Sequence, residues 1–336
     1  MNEHTPTSRG NAPLVVAVVL NWNGYDDTAK CVLSLQKAAY ANLQIILVDH
    51  ASTDGSAGRL ERDFPELPFI KLSHNGGYAA GNNAGIKLAL ERRADYVLVL
   101  NNDVVVEPGF LWPMVQLAEK NPAAGVVTCK ALLQSGNGRI YCTGGNLSRL
   151  RCGGVPLPPG ERDREGEVQF ISGCILLARR EVFEKLGSFD ERFFMYFEDV
   201  EFSRRVRRQF KLFYTPAGVV YHKSGGGDKW KNYTETYLYY TSRNRLWVFQ
   251  NESRAYRLYV ILYGFLNAFA KSAVIAAHSF PVRRQENRSE KRLMALWRGM
   301  RDGMFGNPAQ NNQDDLSNEY APPPDIIGER ELGESL

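Results

Sequence analysis

Short apolar runs recur along the first half of this chain, and each ends on polar residues before a helix-like segment begins. "LVVAVVL" stops at Asn21, "LQIILVD" at Asp49, "FIKLS" near His74 and "YVLVL" at Asn101. Between them, "DDTAKCVLSLQKA" carries Ala29, Val32, Leu33 and Leu35 at helical spacing, and "AAGNNAGIKLALERR" also reads as a helix. A strand that is apolar at successive positions must be covered on both faces, the pattern of parallel strands in an α/β sheet. Such sheets bind ligands at the carboxyl ends of their strands. Asn21 and Asn23, Asp49 and His50, His74 and Asn75, then Asn101 to Asp103 gather at those ends and read as the rim of a site.

The remaining chain divides by composition. Residues 134–170 are rich in Gly, Pro and charge and read as loops and edge strands, whereas "FISGCILLARREVFEKLGSFD" returns to strand then helix. Tyr214 to Val220 is strand-like around Pro216, which suggests a sheet edge. Residues 233–250 are aromatic with helical spacing, and 256–280 are nearly all apolar. Residues 283–301 carry seven Arg or Lys against two Glu, and from 302 the tail holds eight acidic residues, one Arg and a "PPP" run. The boundaries expected are a flexible N-terminus (1–12), a catalytic domain (13–227), a helical region (228–301) and a disordered acidic tail (302–336).

A net charge of +4 gives no reason to expect a nucleic-acid partner. Five cysteines at irregular spacing, with no C-x-x-C pair, suit free thiols in a reducing compartment. "MNEHTPTSRGNAP" lacks the apolar core of a signal peptide, so a cytoplasmic catalytic part is expected.

Several short motifs carry chemistry. Asp49 opens "DHASTDGS", where Ser52, Asp54, Gly55 and Ser56 are turn and cap residues and Asp49 is suited to accept from a base N–H. "HNGGYAAGNNAGIKLA" is a Gly-rich entry to a helix whose amides could receive a phosphate, without a Walker or G-x-G-x-x-G order. Asn101, Asn102 and Asp103 offer one carboxylate and two amides, enough for a cation that shares its oxygens with phosphates. In "FDERFFMYFEDVEFSRR", Glu198 and Asp199 sit among aromatic residues that favour raised pKa values and a general base. An ordinary helix start, with acids in its first turn, explains the same pair equally well. His222 follows the strand "AGVVY" and, beside a carboxylate-bound cation, is a plausible third ligand.

Taken in order, "VVLNWNG", "ILVDHASTDGS", "HNGGYAAGNNAGI", "YVLVLNNDVVVEPGFL", "ISGCILLARREVFEKLGSFDERFFMYFEDVEFSRR" and "VVYHKSGG" resemble family 2 glycosyltransferases of the GT-A fold. Within that family the chain is similar to the bacterial rhamnosyltransferase branch of surface polysaccharide assembly. The resemblance implies a Rossmann-like, mostly parallel sheet flanked by helices, here with a C-terminal helical extension. It implies that Asn21, Asn23, Asp49, Ser52 and Asp54 surround the base and ribose of a nucleotide. Asn75, Gly76 and Gly77 would border the diphosphate, with Asn82 on the sugar side and Asn102 and Arg205 also in the donor site. The metal motif falls on Asn101 to Asp103, with Asp103 the main ligand, Asn101 a weaker one and His222 completing the set for Mg²⁺ or Mn²⁺. Asp199 matches the general base and Glu198 an orienting acid. Asn101 stands where many relatives have Asp, His50 where Asn is commoner, and Glu201 where Asp is commoner.

The implied reaction is inverting transfer of a sugar, rhamnose from dTDP-rhamnose foremost, to a hydroxyl of a glycan or lipid-linked acceptor. A UDP- or GDP-sugar donor and a non-catalytic sugar-nucleotide binder are the alternatives, and a nucleotidyltransferase is disfavoured because "NWNGYDDT" holds no basic phosphate loop. The apolar stretch 258–276 suits a packed, monotopic or spanning helix. The basic charge of 283–301 favours contact with the membrane's inner surface through 256–301. Oligomeric state is not legible.

Overall fold

The computed structural model describes residues 12–135, 138–223, 233–279 and 286–306. Strands β1 (Val15–Asn21), β2 (Leu43–Asp49), β3 (Phe69–Lys71) and β4 (Tyr96–Asn101) are parallel and lie in the order β4-β1-β2-β3. Helices α1 (Tyr25–Gln36), α2 (Ser56–Asp63) and α3 (Gly77–Glu91) connect them. Then follow β5 (Val104–Val106), α4 (Leu111–Lys120) and β6 (Ala124–Leu133). The Gly/Pro-rich excursion forms β7 (Ile140–Cys142), the hairpin β8 (Gly145–Ser148) and β9 (Gly153–Pro156), and the edge strand β10 (Gly166–Val168). Strand β11 (Ile175–Arg179), helices α5 (Arg180–Leu186) and α6 (Glu198–Val206) and strand β12 (Lys211–His222) complete the sheet. Its order is β10-β12-β6-β11-β4-β1-β2-β3, with β11 antiparallel to both its neighbours.

The unbroken apolar runs are explained by a sheet with two covered faces. Val15, Ala17 and Val19 of β1 join one core with residues of α1, α2 and α4. Val16 and Val18 face the other, with α3, α5 and α6. Register brings the polar ends level: Asn21 lies opposite Asp49, and Leu20 opposite Asn101.

Pro216 is not at a sheet edge. Strand β12 pairs with β6 on one side and with β10 and β5 on the other. The register with β6 slips between Thr215 and Val219, so proline sits in a bulge where no ladder donor is needed.

Helices α7 (Glu235–Val248), α8 (Arg254–Ser279) and α9 (Glu286–Phe305) build a third core, which also takes in Phe193 and Val200 beside the acidic pair. Helix α9 runs past residue 302, later than composition placed its end. The expected flexible start before Ala12, the glycine run 225–227 and the acidic tail from 307 lie outside the described residues.

Close packing of α3 on the sheet depends on Gly85, where an added Cβ would collide with a methyl of Val18. In an open helix Gly→Ala gains about 1 kcal/mol. Here overpacking is expected to reverse the sign: Gly85→Ala should destabilise by about 1–3 kcal/mol in urea titration.

Candidate active site

At the carboxyl end of β1, Asn21 is fully buried, and its amide knots the strand ends together. Its Nδ2 lies 2.7 Å from Asp49 Oδ1, 2.9 Å from Ser56 Oγ and 3.1 Å from Ser52 Oγ, while its Oδ1 accepts from Thr28 Oγ1 at 2.8 Å. Asp49 Oδ2 accepts from the Ser52 amide. Asn23, at φ 49°, accepts the Thr53 and Asp54 amides on its Oδ1. The sequence placed Asn21 against a nucleotide; with no exposed surface it instead positions Asp49 and the 52–56 turn. Asp54 is exposed and holds the Ser56 amide.

The Gly-rich turn departs further from the sequence expectation. The Gly76 amide donates to His50 Nε2 at 2.8 Å, the Gly77 amide to Asn75 Oδ1 at 2.9 Å and the Tyr78 amide to the Phe194 carbonyl at 2.7 Å. These N–H groups of α3 are spent within the fold and do not form a phosphate cradle. Burial, then His74, lowers the His50 pKa to about 4, so the ring stays neutral and its Nε2 accepts. Gly77 adopts φ +87°, and a side chain there would strike the Phe194 carbonyl. The turn thus fastens α3 to the segment before the acidic pair. Asn82 is fully buried; its Nδ2 donates to the Tyr78 carbonyl and its Oδ1 has no partner among the described residues.

Beyond β4 the three-residue polar turn points its members different ways. Asn102 donates to Thr28 Oγ1 at 2.9 Å and so braces the Asn21 knot. His222 Nε2 lies 3.1 Å from Asn101 Nδ2 and 3.3 Å from Asp103 Oδ1, and its ring stacks on Tyr141 with centroids 4.1 Å apart. An ion pair at 3.3 Å would need His222 protonated. Burial works against that, lowering the His222 pKa and raising that of Asp103, although each partner opposes the other's shift. A neutral imidazole and a carboxylate side by side form a donor set that suits a hard or borderline divalent cation. Among the described residues no third His, Cys, Asp or Glu joins them, which leaves the other coordination positions to phosphate oxygens and water.

The acidic pair lies next to this turn through one short bridge. The Gly173 amide donates to Asp199 Oδ2 at 3.2 Å, and the adjacent Cys174 carbonyl accepts the Asn101 amide at 3.0 Å. Burial pushes Asp199 up to about 6, held back by the Gly173 and Val200 amides. Burial and then the charge of Asp199 push Glu198 well above the carboxylate range. Glu198 therefore carries the proton and Asp199 the charge near neutrality. Glu198 Oε2 has no hydrogen-bond partner among the described residues.

Immediately before the pair, Tyr196 and Phe197 both adopt positive φ, 65° and 69°. Bulky residues hold that conformation only where their surroundings enforce it. Asn244 of α7 supplies the clamp: fully buried, it donates to the Met195 and Tyr196 carbonyls at 2.9 and 2.7 Å and accepts from Arg243 Nε. Arg205, expected in the donor site, instead bonds Glu201 and the carbonyls of Leu186, Gly187 and Ser188. Its donors are used to tie α6 to the preceding turn.

Several residues that build this site escaped sequence reading. Tyr141 lies in the irregular excursion and had no signal. Asp27 is 5% exposed and receives both contacts of Lys223 Nζ at 2.9 Å, close enough to Asp103 to raise its pKa. Its only trace in the sequence is a second acid in "DDT". Arg243 and Asn244 interrupt an aromatic helix, a readable cue.

The model of the family described as "Glycosyl transferase family 2" matches residues 16–187, just over half of the 336-residue chain. The chain belongs to this family. It is a glycosyltransferase, and its architecture is the GT-A fold. Family members similar to it include the N-acetylglucosaminyl-diphospho-decaprenol L-rhamnosyltransferase of Mycobacterium tuberculosis. That protein is 28% identical over 250 residues, which cover 64% of this chain and 80% of the relative. The O-antigen biosynthesis protein RfbC of Myxococcus xanthus is 31% identical over 208 residues, 58% of this chain and 16% of that protein. Among solved structures, the mannosyltransferase PcManGT of Pyrobaculum calidifontis, in complex with GDP-Man and Mn²⁺, gives a TM-score of 0.54 at 13% identity over 90% of both chains. GalNAc-T7 with UDP, GalNAc and Mn²⁺ gives the same score at 17% identity over 73% of this chain and 52% of that one.

Within this glycosyltransferase the Asn244 clamp can be tested directly. Asn244→Ala removes the donor to two carbonyls and the acceptor of Arg243 Nε, and should cost about 1–3 kcal/mol in chemical denaturation. Turnover at saturating donor is expected to fall more than donor affinity, because the clamp sets the acid pair's backbone.

Proposed function

We propose that the enzyme transfers a sugar, with inversion, from a nucleoside diphosphate to a hydroxyl of a glycan or lipid-linked acceptor. The observation that carries this reading is the Gly173–Cys174 bridge, which holds a raised-pKa carboxylate beside the Asp103–His222 pair. Similarity to a rhamnosyltransferase supports dTDP-rhamnose as donor and a diphospholipid-linked sugar as acceptor, in bacterial surface glycan synthesis. A UDP- or GDP-sugar donor is the second reading, supported by the nucleotides in the GT-A neighbours.

Asp199 acts as the base, taking the acceptor hydroxyl's proton as that oxygen attacks the anomeric carbon in line. Protonated Glu198, buried beside it, keeps a second negative charge away from the base and so holds Asp199 ready for the acceptor. Asp103 and His222, with Asn101 beside them, would hold Mg²⁺ or Mn²⁺, which would supply positive charge for a departing diphosphate. Asp49 and the 52–54 turn lie on the nucleotide side, and residues 13–227 form the catalytic domain. Fixing both substrates against Asp199 converts an encounter of two molecules into one bound geometry.

Helix α8 is long and apolar enough over Arg254–Ala277 to cross a membrane, by length and composition alone. One face packs in the third core, while Leu258, Leu262, Leu266 and Phe269 are more than half exposed. A helix so divided suits lying in the inner surface of the membrane, with the catalytic domain in the cytoplasm.

Asp199→Asn should lower transfer by about 10²–10⁴-fold and leave nucleoside diphosphate affinity unchanged; normal turnover by the purified variant would remove Asp199 from its role. In the wild type, kcat/KM should climb with pH up to about 6 and then level off, as Asp199 loses its proton. The stability sign is opposite. A carboxyl whose pKa rises on folding loses stability as pH rises from its unfolded value, about 4, towards 6. Asp199→Asn should therefore melt higher than wild type at pH 7 and match it below pH 4.

Chelation by EDTA is expected to stop transfer, with Mn²⁺ or Mg²⁺ restoring it. Asp103→Asn should raise the cation concentration required by about tenfold or more. A screen of dTDP-rhamnose, UDP-sugars and GDP-sugars, read as released nucleoside diphosphate, decides the donor. Membrane fractionation of the full chain and of a variant lacking 256–301 tests placement; a wholly soluble full chain would overturn it.

A further inference from the structure

Helices α7 and α8 each carry a cation into the aromatic cluster behind the acidic pair, and neither meets a carboxylate among the described residues. Lys271 is only 9% exposed, and its Nζ lies 5.2 Å from the Tyr237 ring centroid and 5.6 Å from that of Tyr233. No hydrogen-bond acceptor or carboxylate among the described residues meets that ammonium. Arg245 donates to the Arg151 and Cys152 carbonyls and stacks over Phe197 and Tyr263, at 4.9 and 5.4 Å. Burial, then the charge of Arg245, lowers the Lys271 pKa to about 8. Two cations held this close without an acid destabilise a fold, and ring faces offset only part of the cost. An anion from outside would complete the site.

Position says which anion. The Tyr237 ring meets Tyr196 edge-on at 5.4 Å, and Arg245 covers Phe197, so both cations border the strained pair that leads into Glu198 and Asp199. Tyr196 and Tyr141 influence each other electrostatically, and Tyr141 stacks on His222. The cations thus border the segment that carries the acidic pair. The opposite face of α8 exposes Leu258, Leu262, Leu266 and Phe269, a surface suited to an alkyl chain.

We propose that Lys271 and Arg245 form the subsite for the diphosphate of a lipid-linked acceptor, whose alkyl chain leads out toward the membrane that the exposed face of α8 meets. The anion is held beside the segment that leads into Asp199, so the acceptor hydroxyl comes to the base already oriented. This deepens, and rests on, the glycosyl-transfer reading of the acidic pair.

The test is equilibrium binding to the full-length chain in mild detergent, without donor, using farnesyl diphosphate, farnesol and inorganic pyrophosphate as probes. Farnesyl diphosphate should bind about tenfold tighter than either of the others, the worth of a charge-assisted contact. Lys271→Met keeps the stem's volume and should weaken farnesyl diphosphate to the level of farnesol. Its affinity for dTDP and UDP with Mn²⁺ should stay at the wild-type value, and its Tm should equal or exceed the wild type's; Lys271→Gln serves if the Met variant does not fold. Equal farnesyl diphosphate affinity in wild type and variant would overturn the subsite, leaving Lys271 as a brace of the bundle. Pyrophosphate binding as tightly as farnesyl diphosphate would overturn the acceptor assignment. Asp199→Asn should retain farnesyl diphosphate affinity, so an error in the catalytic assignment would leave this result standing.

Discussion

A buried strand must end somewhere, and where β1 ends its last side chain has no water to bond. Asn21 meets that constraint with one amide that reaches Asp49, Ser52, Ser56 and Thr28. Through Thr28 the network extends to Asn102, and so to the turn that carries Asp103. An unsatisfied polar group here would cost as much as several good contacts return, so the strand ends are held in one relative position. The candidate cation site inherits its geometry from this knot.

The acidic pair is placed by a different device. Helix α3 grips the segment before it through the Tyr78 amide, and α7 grips it through Asn244. Between these two grips Tyr196 and Phe197 are forced to positive φ. The helical region therefore helps to hold the acidic pair in place. Its third core contains Phe193 and Val200 from either side of the pair.

His50 shows how one substitution is absorbed by its surroundings. As a neutral ring it accepts the Gly76 amide, a bond that closes the Gly-rich turn on itself. The same turn looked suited to phosphate in the sequence because glycines before a helix usually free their amides. What cannot be read from spacing is whether those amides already have partners. Arg205 was misread for the same reason, since a cation seven residues after Glu198 fits a donor site or a helix tie equally well.

From the sequence alone came the α/β class, the strand ends that carry Asp49, Asp103 and His222, the acidic pair and a helical C-terminal region. These follow from hydrophobic periodicity and from polar residues at strand ends, which are local properties. Tertiary structure decided the rest: which amides are spent, that Asn21 is a knot and Arg205 a tie, that Pro216 sits in a bulge, and that Lys271 lies against the Tyr237 ring. Most of these depend on partners distant in the chain or on neighbouring helices, as in Asn21 with Asp49, Arg205 with Leu186 and Tyr78 with Phe194. Periodicity records how a residue faces its own element. It holds no record of which distant group will arrive opposite it.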